Sequence, residues 1–256
     1  MRGLLVSLLL ACGAAAATAA PIEFHDTMAQ RTLACTACHG REGRAGPDGY
    51  YPRIAGKPAG YLYNQLLNFR EGRRHYGLMA GLLETLSDDY LADIARYFAS
   101  LDVPYPPPTP ANVPPETIAR GRVIATQGDP ERRLPACAHC HGKALTGVAP
   151  GFPGLLGLPR DYLNAQLGAW RTGQRRALAP DCMADVARRL SPEDLSAVTA
   201  FLSSEPPPAN PHPVSAEVPK PTKRKGRKAR SVEAPAPTPA PLRCGAAPLP
   251  VARTGS

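Results

Sequence analysis

One five-residue pattern occurs twice in this chain, as Cys35-Thr36-Ala37-Cys38-His39 and as Cys137-Ala138-His139-Cys140-His141. Each copy sets two thiols and an imidazole on one short turn. The surroundings repeat as well. Pro52-Arg53-Ile54-Ala55-Gly56 returns as Pro153-Gly154-Leu155-Leu156-Gly157, and Tyr61-Leu62 with Gln65-Leu66 returns as Tyr162-Leu163 with Gln166-Leu167. Phe69-Arg70 and Gly72 match Trp170-Arg171 and Gly173. Met79, Leu86 and Ser87 match Met183, Leu190 and Ser191. The offset between copies drifts only across Gly-, Pro- and Arg-rich loops, where insertions are tolerated. Two copies are too few for a solenoid, so the chain reads as two duplicated globular domains.

Composition places the boundaries. The proline-rich stretch 104–113 is a stiff connector, and from Pro206 onward Pro, Ala, Lys and Arg dominate without enough apolar residues for a core. The expected layout is domain one over 21–103, domain two over 114–205 and a disordered or docked tail over 206–256. Both domains read as all-α. Ser87 followed by Asp88-Asp89 and Ser191 followed by Pro192-Glu193-Asp194 are helix starts, with apolar residues at helical spacing behind them. Middle helices run from near Pro58 to Gly72 and from near Pro159 to Gly173. Another is expected over 116–127, with a less clear counterpart over 26–34. No long strand is expected.

A CxxCH motif is the attachment signal for a c-type haem: the thiols add across the two vinyl groups, and the next residue, His, lies under the iron. A redox CxxC pair would call for a βαβ setting, and a zinc site for four ligands; neither is evident here. The expectation is two covalently bound haems c, on Cys35 and Cys38 and on Cys137 and Cys140, with His39 and His141 as iron ligands. Met79 and Met183 occupy the same place in the two copies and are the candidate sixth ligands. His75 competes for the first iron but has no histidine counterpart in the second copy. Cys182, next to Met183, could also ligate; its thiolate would lower the potential, whereas Met with His raises it. His139 lies inside its motif and should point away from the iron.

The formal charge of +9 is uneven. Nine basic and two acidic residues lie in 206–256, and Arg2 lies in an export signal, so the body is close to neutral. That gives no reason to expect nucleic-acid binding. The run Lys223-Arg224-Lys225-Gly226-Arg227-Lys228 is either a solubilising tail or a contact with an anionic membrane surface or acidic partner. Residues 1–19 read as the signal: Arg2, an apolar stretch from Leu4 to Leu10, and cleavage after Ala17-Thr18-Ala19. A lipoprotein reading with acylated Cys12 would need a shorter apolar stretch. Both send the chain to the periplasm, soluble or peripherally held. Cys182 and Cys244 are then the mature thiols that haem does not use. They are either a disulfide in an oxidising compartment or two unrelated thiols.

Over roughly residues 22–204 the chain resembles the cytochrome c4 family of dihaem cytochromes. The resemblance rests on both CxxCH-Gly motifs, the Pro-x-(Ile/Leu)-x-Gly loops, the Tyr-Leu-x-x-Gln-Leu helices, the Arg-x-Gly turns and the Met-then-Leu-Ser ends. It implies two packed cytochrome c folds, His39/Met79 and His141/Met183 ligation, and a carbonyl at Pro52 and at Pro153 that orients each ligand histidine. It also implies an exported electron carrier, not an enzyme, serving an oxidase, a bc-type complex or a dehydrogenase. Two rivals stand beside that role: a haem subunit of a membrane-bound dehydrogenase, and a dihaem peroxidase, which would need an open iron site.

Overall fold

The computed structural model describes residues 25–46, 48–216 and 243–252. The expected export signal, the Cys12 alternative and the basic run at 223–228 lie outside the described residues. In chain order the elements are α1 (Met28–Arg31), α2 (Leu33–His39), a 3-10 turn at Arg41–Gly43, α3 (Ala59–Arg70), α4 (Gly77–Leu83), α5 (Asp88–Ser100), α6 (Pro115–Gln127) and α7 (Cys137–His141). There follow β1 (Gly147–Ala149), β2 (Phe152–Pro153), α8 (Arg160–Thr172), α9 (Cys182–Arg189), α10 (Pro192–Ser204) and β3 (Val214–Ser215). The fold is mainly helical, and the three short strands form one small sheet in the order β2-β1-β3.

Two apolar cores organise these helices. Leu62, Leu67, Leu83, Leu91, Ile94 and Phe98 from α3, α4 and α5 build the first. Ile124, Leu163, Leu167, Ala187, Val198 and Phe201 from α6, α8, α9 and α10 build the second. The last helix of each half starts where the sequence indicates. Ser87 Oγ accepts from Tyr90 N–H at 3.3 Å, and Ser191 Oγ accepts from Asp194 N–H at 3.1 Å. Each cap satisfies a donor that a helix start leaves free.

The crossing of α6 and α10 depends on a missing side chain. A Cβ on Gly121 would stand 2.1 Å from the Ala197 carbonyl oxygen and 2.9 Å from Phe201 Cβ. Gly121→Ala therefore forces the two helices apart. The expected cost is about 1–3 kcal/mol, read from denaturant unfolding of the holoprotein.

Among its described residues the first half has no single long helix equivalent to α6. The helix expected over 26–34 is instead two short ones, α1 and α2, separated at Thr32, whose hydroxyl donates to the Met28 carbonyl at 2.7 Å. Side-chain bonding back to the previous turn competes with regular helix geometry. Ala247 and Leu249, from the end of the chain, pack against the first core. Nor does the sequence pattern pick out α4 and α9, which are each about two turns long.

The connector is anchored where it leaves the first half. Buried Arg53 donates to the carbonyls of Ala55 at 3.2 Å, of Pro104 at 3.0 Å and of Val103, and its guanidinium lies 4.0 Å from the centre of the Tyr105 ring. The described parts of the tail are docked: β3 pairs with β1, and Cys244 is bonded to Cys182. Among the described residues no helix is long and apolar enough to cross a membrane.

Candidate haem sites

The first CxxCH motif ends α2 and the second makes up all of α7, and each is followed by a glycine with positive φ, Gly40 at 73° and Gly142 at 81°. A Cβ on Gly40 would lie 2.4 Å from the Ala45 carbonyl oxygen, so the chain turns away at once from the ligand histidine. His39 and His141 are both buried. His39 Nδ1 lies 2.8 Å from the Pro52 carbonyl oxygen, and His141 Nδ1 lies 2.7 Å from that of Pro153. A carbonyl only accepts, so Nδ1–H donates in both cases and Nε2 keeps its lone pair. This outer contact fixes tautomer and ring orientation together. Burial pulls both imidazoles below the ordinary histidine value; the proline carbonyls oppose this, while the charges of Arg74 and Lys57 add to it.

Both histidines open onto one cavity of about 900 Å³ that also takes in Cys35, Met79, Cys137, Cys140 and Met183. Met79 on α4 packs against the first core and Met183 on α9 against the second. The structure thus brings each expected set together in its own half. Cys38 is the exception, lying exposed and off the cavity wall. His75 also reaches the wall, but its side chain is exposed, and its backbone N–H donates across the seam to the Gln174 carbonyl at 3.2 Å. His139 is exposed and off the wall, as its place in the motif suggests. Burial raises the Cys35 thiol and pushes the Cys137 thiol up to about 11, which opposes thiolate chemistry. Among the described residues no cluster of three or more His, Cys, Asp or Glu could hold a metal ion.

A cationic seam lies across the cavity. Arg74, from the first half, donates to Gln65 at 3.1 Å and crosses to Tyr162 at 3.2 Å and Gln166 at 2.7 Å. Arg175, 4% exposed, answers it by donating to Gln166 at 2.6 Å and crossing back to Gln65 at 2.8 Å. The guanidiniums rest on Phe69 and Trp170, at 4.4 and 3.7 Å from the ring centres. Among the described residues neither has a carboxylate partner, and burial followed by repulsion from Arg74 holds Arg175 below its ordinary value. Lys57 is buried alongside, donating to the Gly154 carbonyl at 2.9 Å, and burial, with Arg53 near, brings it down to about 7. The sequence signal for this seam was present: Gln65 with Gln166 and Arg74 with Arg175 each stand 101 residues apart, at the spacing of the repeat. Side-chain identity alone does not show that the pairs cross.

These features provide a fit test for haem. The wall is mainly apolar, as a porphyrin face requires. It carries imidazole and thioether donors of the right kind, together with buried cations that lack an anion. Trp170 Nε1, on the same wall, is buried with no acceptor among the described residues. A group with an apolar face, an iron centre and carboxylates at its edge meets all of these needs, so the residues fit.

The family profile for cytochrome c matches residues 118–205. The thiosulfate dehydrogenase electron acceptor of Thiomonas intermedia is 37% identical over 175 residues, 67% of this chain and 78% of that protein. Cytochrome c4 of Pseudomonas aeruginosa is 34% identical over 204 residues, 79% of this chain and 98% of that protein. The chain belongs to the cytochrome c4 family. The structure of reduced cytochrome c4 from Pseudomonas stutzeri agrees with this family assignment, at 30% identity and a TM-score of 0.60 over 69% of this chain and 96% of that one. Membership in the cytochrome c4 family makes this an electron-transfer cytochrome with covalently bound haem c.

Proposed function

We propose that the chain carries two haems c, one per half, and passes electrons in the periplasm from a sulfur-compound dehydrogenase, such as thiosulfate dehydrogenase, to a respiratory acceptor. One observation carries the two-site reading: the whole donor set is repeated. Each half supplies a cysteine pair, a buried imidazole held by a proline carbonyl, and a methionine on a short helix. The domains run over 21–103 and 114–205, joined by 104–113 and followed by the tail 206–256. The name of the Thiomonas relative supports the choice of donor.

In this account Cys35 with Cys38, and Cys137 with Cys140, hold the haems by thioether bonds. His39 with Met79, and His141 with Met183, bind the irons. The haem iron supplies reversible one-electron chemistry. The chain's part is to keep both ligands in place through the redox change, so that little rearranges. His–Met ligation in an apolar shell favours the reduced state and a high potential. Arg74, Arg175 and the Trp170 N–H would receive haem carboxylates. With no open iron position, electron transfer is favoured over peroxidase chemistry.

The exposed apolar residues indicate where a partner docks. Leu78 and Leu82 stand one turn apart on α4, on either side of Met79, and are 68% and 40% exposed. Tyr50, 61% exposed, leans on Tyr76 at the start of α4 with ring centres 6.4 Å apart. At the same repeat spacing the second copy has Cys182, which is bridged, and Val186, which packs on the second core. The basic tail would add attraction to an anionic membrane surface or an acidic partner. Replacing Leu78, which is off the cavity wall, by lysine is expected to slow reduction by the donor about tenfold, equivalent to 1.4 kcal/mol of lost contact, with both haem spectra unchanged. Stopped-flow mixing with thiosulfate and catalytic thiosulfate dehydrogenase tests the function: two haem equivalents per chain should be reduced. Absence of any reduction would reject this donor.

A further inference from the structure

The end of the chain runs from the second half to the first. Cys244 is bonded to Cys182, with Cα atoms 5.5 Å apart, and Cys182 precedes Met183 on α9. Gly245 then lies flush on the backbone before α9. Its N–H donates to the Pro180 carbonyl at 2.9 Å, and a Cβ there would stand 2.2 Å from the Leu178 oxygen and 2.5 Å from that of Ala179. Cys244, Gly245 and Ala246 form part of the cavity wall.

The segment next meets the first half. Asn64 of α3 clamps Ala247 from both sides: its amide nitrogen donates to the Ala247 carbonyl at 3.0 Å, and its amide oxygen accepts from Ala247 N–H at 2.8 Å. Ala247 and Leu249 pack on the first core, and Arg96 of α5 donates to the Pro250 carbonyl. About nine residues thus hold a covalent anchor on one half and an apolar, hydrogen-bonded anchor on the other. They cover the side of the cavity between Met183 and α3. The equivalent of Cys182 in the first copy is Leu78, which is exposed and unbridged, so Met79 has no such restraint.

We propose that residues 243–252 are a positioning strap: through Cys182 they hold Met183 in place, and through Asn64 they close the cavity seam over the first site. The proposal rests on Met183 being an iron ligand. Opening the bridge takes two electrons and two protons from a dithiol, which leaves as its disulfide, and yields two thiols on the chain. The strap then keeps its first-half anchor but is held to the second half only by the Gly245 hydrogen bond to Pro180.

The test uses the full-length holoprotein and imidazole as the entering ligand. Cys182→Ala with Cys244→Ala removes the bridge without leaving a thiol to compete for iron. The expected result is imidazole displacement of Met183 at least tenfold faster, with half of the ferric methionine–iron absorption band lost at the fast rate and the Met79 half unaffected. Treating the natural protein with dithiothreitol, alkylating the two freed thiols and then returning both irons to the ferric state with ferricyanide should give the same change. Asn64→Leu keeps the bridge and cuts the other anchor. It should speed ligand entry at the first site and leave the Met183 rate unchanged. Unaltered imidazole rates in both variants would overturn the strap, as would equal acceleration at both irons in the double variant. Failure of the underlying reading looks different: Met183→Ala would leave the methionine band whole.

Discussion

Met79→Ala and Met183→Ala are each expected to remove half of the ferric methionine–iron absorption band and to open one iron to added ligand. The double variant should remove all of it. Loss of the thioether also removes the ligand that favours ferrous iron. Each variant should therefore lower one of two midpoint potentials by more than about 59 mV, a tenfold change in a one-electron equilibrium. His75→Ala is the control. Its exposed ring and place on the seam predict an unchanged band. If instead Met79→Ala left the spectrum intact and His75→Ala disturbed it, the ligand of the first iron would be His75. The two methionine variants should differ in kinetics as well, since α9 is bridged to the end of the chain and α4 is not.

Asp194→Asn should be among the most destabilising single changes to the second half. The carboxylate is fully buried, and its oxygens meet Arg120 Nε at 2.6 Å and Arg132 Nη1 at 2.5 Å. Burial alone would raise the carboxyl, but Arg132 and Arg120 together hold it below the usual value. The arginines are partly exposed and regain water when the charge goes, whereas the carboxamide stays buried with an N–H₂ facing cations. The expected loss is about 2–3 kcal/mol at neutral pH. Because the folded carboxyl is depressed, its contribution is complete above the unfolded value near 3.8 and fades as pH falls through the folded value. Denaturant midpoints of parent and variant should therefore stay apart at neutral pH and converge in acid. A gap that widened in acid would contradict this.

The sequence showed those features that depend on local chemistry or repetition. The capped starts of α5 and α10 follow from a serine and early acids. The proline-led starts of α3 and α8 follow from Pro58 and Pro159. The two histidine–carbonyl contacts at Pro52 and Pro153 were an implication of the family resemblance. What was not legible depends on contacts across the seam. Arg74 and Arg175 read individually as solvated arginines, yet each is satisfied by a glutamine of the opposite half. Lys57 looks like a surface residue until the Gly154 carbonyl is found beside it. The helices bearing Met79 and Met183 are too short, and in the first copy too rich in glycine, for periodicity to emerge. Cys182 and Cys244 were left as either a bridge or two thiols. A partner 62 residues away is fixed by tertiary packing, not by spacing.

The central claim is that two complete haem sites share this chain. Mass spectrometry of the unfolded, exported protein tests it most directly, because thioether bonds survive denaturation. The account predicts one species carrying two covalent haems. Tryptic peptides should place one on Cys35 and Cys38 and the other on Cys137 and Cys140. A chain carrying a single haem, or a free alkylatable cysteine in either motif, would contradict it.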